Sequence, residues 1–353
     1  MSILSNRFRN LGFPSGVLPP SPNPSIDPEP PKALLARCPM FEKTPLVNSP
    51  ELSKNLSVSA VWVKDERNRI GLGSFKALGA AYVIAERANS QSAPISETSL
   101  TGLTFVTASA GNHGMSVAAG AQIFGARSVV FISESVPEAF AERLRARDCK
   151  VERVGADYEA SMRAAQEAAD KNGWILLSDT SWDGYTEIPH QLMQGYLVMA
   201  EEAVRQINIP PTHIFLQAGV GGLAASAAAY FRKAWGDGPV IVVVEPTAAP
   251  ALMDSIKAGQ MSDAQGPVSN MGRLDCKTPS LIALKGLARD ADLFVTVEDD
   301  AASSAANDLT ASGFSTTPSG AAGFAGAQSG FEELNLTGDA RVLIVVSEGD
   351  EAA

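Results

Sequence analysis

From Leu56 onward the chain alternates short β-branched apolar runs with longer alanine-rich stretches. The runs at 56–63, 105–108, 128–133, 151–154 and 175–177 predict strands, and the spacing of apolar positions over 77–88, 115–124, 138–147 and 158–171 predicts helices. The cycle returns with strands at 212–217, 240–244, 293–297 and 342–346 and helices at 223–232, 249–257, 301–309 and 321–328. A repeating strand–helix order is that of an α/β fold, a parallel sheet with helices on both faces. No segment recurs at a fixed period, which disfavours a solenoid. Ahead of this region, residues 13–31 carry eight prolines, Pro30 and Pro31 among them. Proline lacks the backbone N–H that regular elements use, so this part reads as an irregular N-terminal arm packed over the body.

With 353 residues and 45% hydrophobic content, the chain can fill the cores of two domains or of one large split domain. A net charge of -11 argues against a broad nucleic-acid or anionic-membrane surface. Cys38, Cys149 and Cys276 are too scattered for a disulfide framework, and with three histidines no metal site is expected. A reducing compartment fits this usage. Residues 1–10 lead into no continuous apolar segment and no later stretch reads as a membrane span, so the expected location is cytoplasmic.

The chemistry is carried by four short segments. The turn Ala218-Gly219-Val220-Gly221-Gly222-Leu223 follows an apolar strand and opens a small-residue helix, a setting in which backbone amides converge on an anion. Its spacing is not that of a dinucleotide fingerprint, and the lysine–serine ending of a phosphate-binding loop is missing. Seen alone it is equally a generic tight turn. Lys76 alone would be a surface charge, and Ser347 at a strand end a turn or capping residue.

Taken together, these segments resemble a known family. Lys64-Asp65-Glu66-Arg67 followed by Gly73-Ser74-Phe75-Lys76-Ala77-Leu78-Gly79 is similar to the lysine region of the fold-type II pyridoxal-phosphate enzymes, which include threonine dehydratases and the tryptophan synthase β chain. Ser109-Ala110-Gly111-Asn112-His113-Gly114, the glycine turn and Ser347-Glu348-Gly349 follow in that family's order over nearly the whole chain. Within the family, Asp179-Thr180-Ser181-Trp182-Asp183-Gly184-Tyr185, Met193-Gln194-Gly195-Tyr196 and Gly272-Arg273-Leu274-Asp275-Cys276 resemble the diaminopropionate ammonia-lyases.

The resemblance implies two open parallel-sheet domains with pyridoxal 5'-phosphate in the cleft. Residues 1–101 would be the arm and the first part of the large domain, 102–189 a small α/β domain, and 190–353 the rest of the large domain. Lys76 would attach the cofactor, and the backbone of Gly219, Val220, Gly221 and Gly222 would hold its phosphate. Ser347 would donate to the pyridine nitrogen, and Asn112 would meet the ring hydroxyl. Ser109, Ala110 and Gly111 would receive the substrate carboxylate, while His113 would be structural. Asp179, its pKa raised toward the working pH by burial, and the released Lys76 amine are competing bases for the α-proton. The implied reaction is β-elimination from an L-amino acid, foremost 2,3-diaminopropionate, to pyruvate and ammonia, by a homodimer in amino-acid catabolism. A dehydratase or ammonia-lyase for 3-hydroxyaspartate, serine or threonine is the alternative, and a noncatalytic cofactor-binding scaffold is the other. One departure stands out. Diaminopropionate ammonia-lyases typically carry an aspartate, assigned to D substrates, where this chain has Ala110.

Overall fold

The protein is described by a computed structural model covering residues 1–91 and 94–350. Its β-branched runs form strands β1 (Ser2–Ser5), β2 (Leu46–Asn48), β3 (Ala60–Asp65), β4 (Thr104–Ala108), β5 (Arg127–Ile132) and β6 (Lys150–Arg153). Further along are β7 (Ile175–Leu176), β8 (His213–Gln217), β9 (Val240–Pro246), β10 (Leu293–Val297) and β11 (Arg341–Val346). They build two sheets, a seven-stranded one in the order β1-β10-β9-β8-β11-β3-β2 and a four-stranded one in the order β6-β5-β4-β7. All pairs in the smaller sheet are parallel, as are the central pairs of the larger. Only its two edge strands, β1 and β2, run antiparallel. The larger sheet thus takes strands from both ends of the chain, and the smaller lies wholly between Thr104 and Leu176.

Central strands such as Val240–Pro246 and Arg341–Val346 are buried almost throughout because helices cover both faces. The helices depart from the sequence pattern in informative places. Residues 56–59 were expected to start a strand, yet Leu56 ends the helix Pro50–Leu56 and β3 begins only at Ala60. Ser49 accepts from Leu52 N at 3.3 Å and Pro50 sits where a missing N–H costs nothing, a cap-and-proline start that outweighs the apolar run. The arm is irregular and packed as expected up to Pro28, but a helix, Glu29–Leu35, then starts through Pro30 and Pro31. The helices Glu187–Gln206 and Leu281–Asp290 have no counterpart in the predicted pattern.

Glu187–Gln206 went unread because it contains Pro189 and Gly195, both helix breakers by propensity. Pro189 lies in the first turn, where its lost donor is not needed. Gly195 lets the helix press against Lys76–Gln91: a Cβ there would lie 2.5 Å from Leu78 O and 2.9 Å from Gly79 Cα. A second lock lies beside this crossing. Lys64 Nζ is 2.7 Å from Glu202, and the Arg69 guanidinium is 2.7 Å from both Glu66 and Glu202, all four side chains being buried. Buried charges hold only when mutually paired, so this network fixes the segment leading to Lys76 against the Glu187–Gln206 helix. Among the described residues, no helix is long and apolar enough to cross a membrane.

The crossing makes a direct test. Gly195→Ala drives a methyl into the backbone of the first turn after Lys76, and urea unfolding should show a loss of about 1–3 kcal/mol. An unchanged midpoint would mean that the two helices are free to separate.

Candidate active site

The site is assembled where strands end. β3 and β11 are parallel neighbours, and the chain beyond their ends pairs again: Phe75 N donates to Ser347 O at 3.1 Å and Gly349 N to Gly73 O at 3.0 Å. The loop before Lys76 and the segment Ser347–Gly349 are therefore tied backbone to backbone. Ser74 Oγ accepts from Lys76 N at 3.1 Å, and Lys76 is itself the first residue of the helix Lys76–Gln91 rather than part of the connection before it. From β8 the chain passes through Ala218 to Gly222, the first residue of the helix Gly222–Trp235. Gly221 has φ 97°, a left-handed conformation that favours glycine. A Cβ on Gly219 would sit 3.0 Å from both Arg273 O and Cys276 Sγ. The first-turn amides of this helix lack intrahelical acceptors, which suits an anion.

The smaller sheet supplies the opposite wall. β4 leads into Ser109-Ala110-Gly111 and the helix Asn112–Ile123, with Gly111 N donating to Ser109 Oγ at 3.3 Å. β7 leads to Asp179, whose neighbours are pinned by the Tyr185 hydroxyl. It accepts from Ser178 N at 3.1 Å and donates to Leu176 O at 2.7 Å. Ser181 Oγ accepts from Ile282 N at 2.9 Å and shares a 2.7 Å hydrogen bond with Ser280 Oγ, while Ser280 N donates to Val220 O at 3.0 Å. Asp179 and the glycine turn are thus braced against each other.

A cleft of about 390 Å³ results, and every residue singled out in the sequence lines it: Lys76, Ser109, Ala110, Gly111, Asn112, Asp179, Gly219, Val220, Gly221, Gly222 and Ser347. At its centre Lys76 Nζ and Asp179 Oδ2 form an ion pair. Burial alone would lower the lysine pKa, but the Asp179 carboxylate outweighs it and holds the amine charged well above its ordinary range. Burial likewise favours the neutral acid at Asp179, and here the expectation of a raised pKa fails. The Lys76 ammonium outweighs desolvation and keeps the carboxyl far below the usual carboxylate range. His113 Nε2 donates to Leu177 O at 2.9 Å, and burial holds its pKa below normal, which favours the neutral ring.

Sequence reasoning assigned no role to several lining groups. The Glu348 carboxylate accepts from Asn112 Nδ2 at 2.5 Å and from the Thr317 hydroxyl, and lies 3.1 Å from Arg273 Nε. It ties the start of the Asn112–Ile123 helix to the end of β11. Its position directly after Ser347 was the available signal. Gln217 closes strand β8 immediately before the glycine turn, after the apolar run 214–216, and a polar residue at that point was a second signal. Tyr196 packs edge-on to Phe75 with ring centroids 4.9 Å apart, and its hydroxyl is buried without a hydrogen-bond partner among the described residues. The Cys276 thiol, pushed up to about 12 by burial and then by Asp179, stays neutral. Among the described residues, no cluster of three or more metal-ligating side chains occurs.

Comparison with known proteins gives a consistent result. Residues 39–348 match the family described as pyridoxal-phosphate dependent enzyme. A diaminopropionate ammonia-lyase of Salmonella typhimurium is 33% identical, the match covering 89% of this chain and 87% of the relative. One of Escherichia coli is 30% identical, with coverage of 88% and 85%. A crystal structure of the Escherichia coli diaminopropionate ammonia lyase in complex with D-serine superposes with a TM-score of 0.87 at 27% identity, covering 99% of this chain and 94% of that one. The same enzyme with an aminoacrylate–pyridoxal-phosphate azomethine intermediate gives a TM-score of 0.87 at 28% identity, with the same coverage.

The ion pair sets the pH at which Lys76 can react with an aldehyde, since only the neutral amine is a nucleophile. In Asp179→Asn the anion that raises the lysine pKa is gone and burial acts unopposed. The pH profile for capture of pyridoxal phosphate by the cofactor-free protein should move down by on the order of one unit or more. An unmoved profile would show that Asp179 does not govern the amine.

Proposed function

The chain belongs to the pyridoxal-phosphate dependent enzymes, among the diaminopropionate ammonia-lyases, and from that premise we propose that it eliminates the β-amino group of L-2,3-diaminopropionate. Loss of that group as ammonia leaves 2-aminoacrylate, whose hydrolysis gives pyruvate and a second ammonia. The observation that carries the reading is the Lys76–Asp179 pair, an amine and a carboxylate held together in a cleft floored by the glycine turn.

The cleft suits the cofactor. Lys76 is an amine at a helix start, and Gly219 and Gly221 keep open a cradle that a side chain would fill or strain. The Tyr196 hydroxyl is a buried polar group without a partner, its ring edge 3.6 Å from where a Cβ on Gly222 would lie. We assign Lys76 to attachment, the amides of Gly219 to Gly222 to the phosphate, Asn112 to the ring hydroxyl and Ser347 to the ring nitrogen. Bound there, pyridoxal phosphate supplies an electron sink that acidifies the Cα–H of an attached amino acid.

The protein's own groups do the rest. Ser109 and the amides of Ala110 and Gly111, just before the Asn112–Ile123 helix, receive the substrate carboxylate and orient Cα. With Lys76 displaced from the cofactor as a neutral amine, the Asp179 carboxylate would no longer face the cation that weakens it as a base, and burial would raise its affinity for a proton. That change would equip Asp179 to accept the α-proton, and the neutral Lys76 amine paired with it could take that proton up and pass it to the departing nitrogen. Position 110, an alanine, offers no titratable group for the opposite hand. We further take residues 102–189 as a smaller domain, supported by the sheet confined between Thr104 and Leu176, and read the enzyme as a cytoplasmic homodimer of amino-acid catabolism, as the family resemblance implies.

Ketoacid and ammonia release should be followed with both enantiomers of diaminopropionate, serine, threonine and 3-hydroxyaspartate. L-2,3-diaminopropionate should yield pyruvate and the D form little or none, and Asp179→Asn should lower L turnover by about 100-fold or more. Comparable D and L rates would sink the stereochemical reading. Exclusive activity on hydroxyaspartate would replace the substrate.

A further inference from the structure

Gln217, the last residue of β8, and Ser347, the first after the neighbouring strand β11, are 2% and 5% exposed and both line the cleft. Gln217 Nε2 lies 2.8 Å from Val345 O, 3.2 Å from Gly320 O and 3.1 Å from Ser347 Oγ. Two of these neighbours are backbone carbonyls, which can only accept. The amide orientation is therefore decided by chemistry: turning it over would set its oxygen against two carbonyl oxygens. Gln217 Oε1, at the other end, is buried without a partner, so the nitrogen side determines how the group sits.

The consequence falls on Ser347. An amide NH₂ has no lone pair to offer, so the Ser347 hydroxyl cannot donate to Gln217 and must accept from it. One side of Oγ is thereby occupied, which leaves its hydrogen free to turn away from Gln217 into the cleft that both residues line. Were a protonated ring nitrogen to donate to Oγ as well, the hydroxyl hydrogen would be left buried without an acceptor.

We infer that Gln217 is a positioning residue that commits the Ser347 hydroxyl to donate to the pyridine nitrogen and so keeps that nitrogen unprotonated. The inference rests on the assignment of Ser347 to the ring nitrogen, and it extends that assignment to the residue that holds the Ser347 hydroxyl. An unprotonated ring is a modest electron sink, enough for elimination and unfavourable to longer-lived carbanions that reprotonate elsewhere.

The test loads the holoenzyme with pyridoxal phosphate ¹⁵N-labelled in the ring and reads the nitrogen resonance, which separates protonated from unprotonated pyridine. Gln217→Glu keeps shape and volume but presents an acceptor to Ser347 in either protonation state, turning the hydroxyl away from the ring. The resonance should move toward that of Ser347→Ala, and the double variant should resemble Ser347→Ala alone. Turnover should fall about tenfold in kcat with KM little changed, the scale of one oriented hydrogen bond. Gln217→Met, of similar volume and without a donor, carries the same expectation should the glutamate variant not fold. A resonance that moves in Ser347→Ala but stays at the wild-type position in both Gln217 variants would overturn the inference alone. One that stays fixed in Ser347→Ala would overturn the ring-nitrogen assignment beneath it.

Discussion

An amine and a carboxylate held in contact inside a largely buried cleft are the constraint on which this molecule turns. Lys76 begins a helix that follows the larger sheet, and Asp179 follows the last strand of the smaller one, so their ion pair joins the two halves of the site. Neither charge would be stable there alone, because burial opposes both. Paired, each holds the other ionised. The arrangement is stable and chemically idle until the lysine is engaged elsewhere. Were the lysine to lose its charge, the carboxylate would be left buried and uncompensated, and its proton affinity would rise.

Much of the remaining structure serves that contact. The Lys64–Glu202–Arg69–Glu66 network and the close crossing at Gly195 fix the helix that Lys76 starts. The serine pair 181 and 280 braces Asp179 against the glycine turn, and Glu348 ties Asn112 to the strand end that carries Ser347. These links are polar and mostly buried, so they are worth most when complete. They also explain how candidate groups from segments far apart in sequence occupy one cleft of about 390 Å³.

The sequence made the parallel core legible because strands buried on both faces are near-continuous β-branched runs, as in Val240–Pro246. It concealed Glu187–Gln206 because Pro189 and Gly195 read as breakers, when one occupies a permitted first-turn position and the other accommodates a neighbouring helix. The edge strands β1 and β2 are short and half-exposed, which leaves little pattern to read. At the site, Lys76, Asn112, the glycine turn and Ser347 were recognisable as motifs. Gln217, Tyr196 and Glu348 gained meaning only from what they face: a polar residue at a strand end has the same appearance in sequence whether it caps a turn or aims a hydroxyl. The electrostatics of Asp179 were hidden for the same reason, since the cation that sets them lies 103 residues away.

The most direct measurement is to reduce the holoenzyme with borohydride, digest it and map the cofactor-modified peptide by mass. One modified residue, Lys76, is the predicted result. A modification on a different lysine, such as Lys64 in its buried network or Lys277 near the cleft, would contradict the account at its centre.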